Sequence, residues 1–171
     1  MHHKCGIAVG VVVVIVIAAV IFGIASFNLS ALPDPGRFET SVATHAKAWY
    51  IGRAARMSAH PALPNNAASV AAGSALFSMD CASCHGEDGR KPTPVGKSMY
   101  PRAVDLSSPQ VQQMSDPEIF WVIKNGVRLS GMPGFARINS DDEIWQLAYY
   151  VRSLGKDGRV AHASVSPGFT H

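Results

Sequence analysis

Two cysteines and a histidine lie within five consecutive residues, in the order Cys81-Ala82-Ser83-Cys84-His85. A C-x-x-C-H sequence is the attachment pattern of covalent c-type haem. Two thiols three positions apart on one helical turn can each form a thioether with a haem vinyl group, and the adjacent imidazole can then bind the iron. The sequence therefore predicts one haem c, bound covalently through Cys81 and Cys84, with His85 as the proximal iron ligand.

Other uses of a C-x-x-C pair fit this sequence poorly. A thioredoxin-like pair follows a strand and opens a helix in a βαβ unit, whereas residues 69–79 are alanine-rich and helix-like. A zinc site needs four ligands, usually with a second Cys or His pair at a defined spacing, but the next histidine after His85 is His162. The third cysteine, Cys5, stands alone, so the sequence predicts no disulfide framework.

An uncharged run of Gly, Ala, Val, Ile and Phe occupies residues 6–25. As a helix this run spans about 30 Å, the thickness of a bilayer core. A cleaved signal peptide usually has an apolar region of about 7–15 residues and a small-x-small site, and neither fits here. We therefore predict a retained transmembrane anchor in residues 1–30. Lys4 precedes the run, which indicates a cytoplasmic amino terminus and a haem domain on the periplasmic side of a bacterial cytoplasmic (inner) membrane.

A linker is predicted for residues 31–66. The prolines and the glycine within residues 32–36 break any helix that leaves the membrane. Apolar residues at near-helical spacing in residues 38–57, with charged residues on other faces, predict one amphipathic helix. This helix could form a collar at the membrane surface, dock a partner or pack on its own domain, and the sequence favours none of these strongly.

Two capping boxes of the S-x-x-E kind start later helices, at Ser115 and at Ser140. An apolar face follows the first box, and Asn125-Gly126 stops that helix. A helical stripe of apolar residues follows the second box, and Gly155 is predicted to stop it.

Two segments are predicted to lack regular structure. Four prolines in residues 87–111 indicate a loop-rich segment after the cysteine motif. Residues 157–171 are predicted to form a carboxyl-terminal tail that is unstructured or ordered by a partner.

The distribution of charge limits the classes of partner that the sequence predicts. The formal net charge is +3, and the basic residues are scattered instead of gathered into arginine-rich blocks with interleaved aromatics. Nucleic-acid binding is therefore not predicted. A weakly basic face can still steer docking onto an acidic redox partner, and Lys91 and Lys97 are the candidates for that role.

Residues 68–154 resemble class I cytochrome c. The resemblance rests on ordered features: Gly73 and Phe77 in a first helix, C-x-x-C-H-G-x-x-G from Cys81 to Gly89, Gly131-Met132-Pro133 like the family's Met-Pro loop, and Tyr150 in a closing helix. It implies an all-α, class I cytochrome c fold in residues 67–156, with three main helices around one haem. In the family, the glycine permits a close helix crossing and the tyrosine packs against the first helix.

The sixth iron ligand has three candidates on this domain, Met99, Met114 and Met132. Met114 immediately precedes a capped helix and is interpreted as a packing residue, whereas Met99 resembles part of the family's variable haem-edge loop. Met132 lies between a glycine that lets the backbone approach the haem and a proline that stiffens the loop. We therefore predict His85 and Met132 as the two iron ligands.

Smaller roles also follow from the resemblance. Arg102, Trp121 and Arg128 are candidates to donate to the haem propionates. Pro94 resembles the proline whose carbonyl orients the proximal imidazole in some relatives.

These features together predict a membrane-anchored carrier of single electrons and not an enzyme. The expected donors are a quinol-oxidising complex or a dehydrogenase, and the expected acceptor is a terminal oxidase of a respiratory chain; a fixed haem subunit of a larger membrane complex is a close variant. The alternative is a haem enzyme or a gas or redox sensor with an exchangeable sixth ligand. No distal acid/base pair for peroxidase chemistry is evident, which disfavours that alternative.

Overall fold

In a computed structural model, the described residues are 2–26, 30, 32–58 and 61–163, with side chains described from residue 10 to residue 155 of these ranges. Their regular structure is entirely helical, which agrees with the predicted all-α class. The helices are α1 His2–Ala25, α2 Arg37–Met57, α3 Ala67–Asp80, α4 Ala82–His85, α5 Pro94–Ser98, α6 Pro109–Gln112, α7 Asp116–Asn125 and α8 Asp141–Ala163, with a 3₁₀ turn at Phe135–Arg137.

The chain divides into two compact units, Met1–Ser30 and Ala31–His171. Helix α1 belongs to the first unit and has 24 residues. No helix in the described part of the chain combines the length and the apolar character that crossing a membrane requires. The second unit contains both the predicted linker and the predicted haem domain. The side chains of Lys4 and Cys5 lie outside the described residues.

Helices α3 and α8 cross at close range beside Gly73. A Cβ atom placed on Gly73 would overlap the backbone carbonyl of Gln146 and lie 3.0 Å from the Cβ of Tyr150. One turn further along α3, Phe77 is fully buried, and its ring centroid lies 5.0 Å from that of Tyr150. The expectations that Gly73 permits a close crossing and that Tyr150 packs on the first helix are both confirmed.

Helix α7 packs on α8 and completes the framework of three main helices. Phe120 of α7 stacks on Trp145 of α8, with 4.4 Å between the ring centroids. The ion pair of Arg152 with Asp116, 2.7 Å between Nε and Oδ1, joins the same two helices. The shared core comprises the buried residues Ile119, Phe120, Ile123, Ile144, Trp145, Leu147, Ala148 and Val151. The three helices predicted around the haem site are therefore α3, α7 and α8.

The structure corrects the predicted end of α8. The helix continues through Gly155 to Ala163, so residues 157–163 of the predicted tail are helical, and residues 164–171 lie outside the described residues. A Cβ atom on Gly155 would overlap the side chain of Gln112. The amide of that glutamine donates to the carbonyls of Leu106, at 2.7 Å, and Val151, at 2.9 Å. Gly155 thus makes room for a packed side chain and does not end the helix.

The proline-rich segment contains two short helices that the sequence analysis did not predict. Pro94 and Pro109 stand in the first turns of α5 and α6. A proline is tolerated there because its missing N–H would have no helical partner, and its restricted φ suits a helix start. The side chain of Thr93 also caps α5 by accepting a hydrogen bond from the N–H of Gly96 at 3.2 Å.

Substitution Gly73→Ala should destabilise the fold by about 1–3 kcal/mol, because the added methyl group meets backbone that cannot move aside easily. Denaturant unfolding of the holoprotein, followed by circular dichroism, measures the change. Gly36→Ala is the matched control: Gly36 has φ −61° and open space around its Cβ position, so its cost should stay below about 1 kcal/mol, the usual size of a lost glycine cap. Equal effects of the two substitutions would contradict the close crossing.

The capping box of α8 should make stability depend on pH through Glu143. Hydrogen bonds from the side chain and the backbone N–H of Ser140, both 2.7 Å, hold the pKa of Glu143 below its ordinary value. The carboxylate therefore stabilises the fold above the unfolded-state pKa, about 4.3, and this contribution is lost as pH falls through the lower folded-state pKa. Glu143→Gln should lower stability at neutral pH and converge with wild type in acid.

Asp142→Asn is the control for that measurement, because Asp142 lies on the same helical turn. Denaturant titrations at several pH values should give a larger loss for Glu143→Gln than for Asp142→Asn at neutral pH. A difference between Glu143→Gln and wild type that persists unchanged in acid would refute the role given to the carboxylate.

Candidate haem site

A cavity of about 490 Å³ lies inside the second unit, within the range of about 300–1,000 Å³ usual for cofactor pockets. It is bordered by α2, α3, α4, α7 and α8 and by the loops around residues 99–106 and 127–135. Its walls are largely apolar and include Ile51, Phe77, Val104, Leu106, Val111, Ile119, Val122, Ile123, Phe135, Leu147 and Val151. An apolar cavity of this size can accept a porphyrin.

Helix α4 presents the predicted attachment residues to this cavity. Cys81, Cys84 and His85 all line it. The carbonyl of Cys81 accepts hydrogen bonds from the N–H groups of Cys84, at 3.1 Å, and His85, at 3.0 Å, so the three residues share one helical turn. Cys81, Cys84 and His85 therefore lie together at the cavity, as the C-x-x-C-H spacing predicts.

His85 is oriented by a backbone carbonyl. Its Nδ1 lies 3.0 Å from the carbonyl oxygen of Val104, which can only accept, so Nδ1 carries the proton and Nε2 is free to bind a metal. Burial lowers the pKa of His85, against a smaller raising effect of this hydrogen bond, which favours the neutral ligating form. The prediction of Pro94 for the orienting carbonyl is wrong, because Val104 provides it and Pro94 starts α5.

The cysteine environment argues against dithiol redox chemistry. Burial, reinforced by the charges of Asp80 and Cys84, raises the pKa of Cys81 to about 12. Reactive cysteines of thioredoxin-like proteins have lowered pKa values, because the thiolate is the nucleophile. Burial thus disfavours the thiolate that disulfide exchange requires.

Thr93 holds the attachment turn from outside, and the sequence analysis missed it. Its hydroxyl donates to the carbonyl of Ser83 at 2.7 Å, and its N–H donates to the carbonyl of Cys84 at 3.1 Å. Gly96 follows, where a Cβ atom would overlap the carbonyl of Cys84. The local sequence does not predict these contacts, because Thr93 lies in a proline-rich segment with no motif around it.

All three methionine candidates line the cavity: Met99, Met114 and Met132. Two further methionines of the second unit, Met57 and Met79, do not line it and are 74% and 71% exposed. The structure thus brings the candidate sulfur ligands to one cavity with His85.

The loop that carries Met132 is held by its own backbone. The carbonyl of Met132 accepts from the N–H of Val127 at 3.2 Å, and its N–H donates to the hydroxyl of Ser130 at 3.2 Å. Gly126 has φ 69°, and a Cβ atom there would lie 2.7 Å from the carbonyl oxygen of Met132. Met99 packs on the same loop, since a Cβ atom on Gly131 would overlap its sulfur.

The residues given smaller roles divide into two groups. Arg102 lines the cavity, as a propionate donor must, and it pairs with Asp34 at 2.9 Å. Trp121 and Arg128 do not line it, and the indole of Trp121 instead contacts Tyr50, with 5.8 Å between the ring centroids. The exposed Lys91 and Lys97 also lie outside the lining.

Helix α2 contributes an unexpected wall to the cavity. Thr44, Lys47, Ala48 and Ile51 line it, although the sequence analysis assigned this helix to a linker. Of the three interpretations left open for α2, the structure supports packing on the domain: Ile51 and Ala55 are only 5% and 4% exposed.

Comparisons with known proteins agree with this geometry. A family model described as cytochrome c oxidase, cbb3-type, subunit III matches residues 68–151. A chain of the reducing HAO-like protein complex of Kuenenia stuttgartiensis is similar in structure, with a TM-score of 0.51 and 26% sequence identity, over 55% of this chain and 47% of that chain. The present chain thus spans about half of that neighbour's length, and no curated protein matches it. Residues 68–151 thus match a c-type cytochrome domain, and such a domain implies covalently attached haem c.

Proposed function

We propose that this protein carries single electrons at a membrane, through one haem c attached to Cys81 and Cys84 and ligated by His85 and Met132. It passes electrons between respiratory complexes or acts as a haem subunit within one. The observation that carries the proposal is the cavity itself, in which a thiol pair, an oriented imidazole and a loop-held thioether line the same apolar space.

Ligation by two protein side chains favours electron transfer over catalysis. The haem supplies a one-electron couple, and a thioether ligand raises its reduction potential relative to two imidazoles. With both side chains bound to the iron, substrate or gas would find no open coordination site. The hydrogen bonds that hold the Met132 backbone and orient the His85 ring support such a closed site.

Two findings favour a fixed subunit over a free shuttle. The matching family model is described as a subunit of an oxidase, and the structural neighbour belongs to a protein complex. Candidate donors are a quinol-oxidising complex or a dehydrogenase, and a terminal oxidase is the candidate acceptor. The similarity to a chain of the HAO-like protein complex also supports a second role, in which the haem domain transfers electrons within a larger enzyme assembly.

The proposed location is the periplasmic face of a bacterial cytoplasmic membrane, with the chain held by residues 1–30. Its support is the uncharged sequence of residues 6–25 and the lysine that precedes it. Anchoring beside a partner replaces free diffusion with a high effective concentration.

Met132→Ala should abolish the near-infrared charge-transfer band of methionine-ligated ferric haem, lower the midpoint potential and allow carbon monoxide to bind the ferrous protein. Met79→Ala is the matched control, because Met79 is exposed and does not line the cavity. If the band survives in Met132→Ala and disappears in Met99→Ala, the ligand assignment moves to Met99. Carbon monoxide binding by the wild type would overturn the closed site.

Membrane extraction tests the cellular role. The full-length protein should stay with the membrane fraction until detergent is added and then co-purify in fixed ratio with larger redox proteins. A deletion of residues 1–30, exported by a substitute signal peptide, should appear as a soluble haem protein. Release of the full-length protein without detergent would contradict the proposed membrane anchor. Purification of the extracted protein without larger partners would identify it as a free electron shuttle.

A further inference from the structure

The cavity wall formed by α2 presents one helical stripe. Thr44, Lys47, Ala48 and Ile51 are spaced as i, i+3, i+4 and i+7, which places them on one face of the helix, and all four line the haem cavity. This helix lies outside residues 68–151, the part of the chain that the family model matches. The pocket is therefore completed by a segment beyond the cytochrome domain.

Several contacts hold α2 against the domain. The hydroxyl of Tyr100 donates to Glu39 at 2.6 Å near the start of the helix. Near its end, a Cβ atom on Gly52 would lie 2.9 Å from a carboxylate oxygen of Glu118 on α7. Because both ends of α2 are in contact with the domain, the stripe between them keeps its place at the cavity.

Lys47 is the unusual member of the stripe. It is half-buried beside a largely apolar cavity, and no carboxylate in the described part of the chain lies within ion-pair distance of it. A lysine that lines such a cavity without a carboxylate partner can offer its positive charge to an anionic ligand bound there.

The other charged groups that line the cavity already have partners. Arg102 pairs with Asp34 at 2.9 Å, and Asp80 accepts from Asn139 at 2.8 Å. Glu118 accepts from Ser115 in the capping box of α7 at 2.7 Å, and His85 contacts Val104. Among the described residues that line the cavity, Lys47 is therefore the cation without a charged protein partner.

We propose that α2 is an integral wall of the haem pocket and that Lys47 binds a haem propionate. The haem c of this domain carries two carboxylates, which are anions of the required kind. A charged ammonium group near the porphyrin also disfavours the more positive ferric state, so Lys47 raises the reduction potential.

The test compares the full-length holoprotein with variants by two measurements, the midpoint potential and the propionate bending band in resonance Raman spectra. Lys47→Met removes the charge and keeps most of the apolar stem, and Lys47→Arg keeps the charge. Arg53→Gln is the matched control, since Arg53 is on the same helix, is exposed and does not line the cavity.

We expect Lys47→Met to lower the midpoint potential and shift the propionate band. Lys47→Arg and Arg53→Gln should leave both close to wild type. If Lys47→Met does not fold, Lys47→Gln takes its place. A charge-removing variant that matches Arg53→Gln in both measurements overturns the proposal, and so does a Lys47→Arg variant that behaves like Lys47→Met.

This inference rests on the covalently attached haem and not on the identity of the redox partners. Carbon monoxide binding by the wild type would overturn the proposed electron carrier and leave the role of Lys47 standing. A Lys47→Met variant that matches Arg53→Gln in both the midpoint potential and the propionate band would overturn the role of Lys47 alone.

Discussion

The close crossing of α3 and α8 at Gly73 positions most of the haem site. The backbones of the two helices meet so closely there that no Cβ atom fits on Gly73, and Phe77 is buried one turn further along. Helix α3 then runs directly into Cys81, whose carbonyl holds the attachment turn. From the other side of the crossing, α8 contributes Leu147 and Val151 to the cavity wall. One helix contact thus places both the attachment residues and an apolar surface that they face.

Backbone groups of loops complete the site where regular structure ends. The carbonyl of Val104 orients the imidazole of His85, and Thr93 holds the attachment turn through its hydroxyl and its N–H. On the methionine loop, the hydrogen bonds to Val127 and Ser130 do the same for Met132. Polar contacts therefore fix the imidazole of His85 and the backbone of Met132. Under the proposed ligation, these contacts would keep the shape of the site constant while its charge changes.

Helix α2 extends the haem pocket beyond the family's domain. It reaches the cavity through Thr44, Lys47, Ala48 and Ile51, and it joins the loop at residues 100–102 through Glu39 and through Asp34 just before the helix. Under the proposed function, the same segment connects the membrane anchor to the haem environment. The potential of the haem and the attachment of the domain to its membrane would then depend on one stretch of chain.

The sequence by itself determined the haem chemistry and the main helices. The C-x-x-C-H spacing, the boxes at Ser115 and Ser140 and the apolar stripes act within one or two helical turns, so local patterns are sufficient to predict them. Only the tertiary structure decided that Val104, 19 residues from His85, orients it, that α2 forms a cavity wall, and that Gly155 accommodates Gln112 instead of ending α8. Those contacts join surfaces that are distant along the chain, and periodicity within a segment carries no information about which distant surface will cover it.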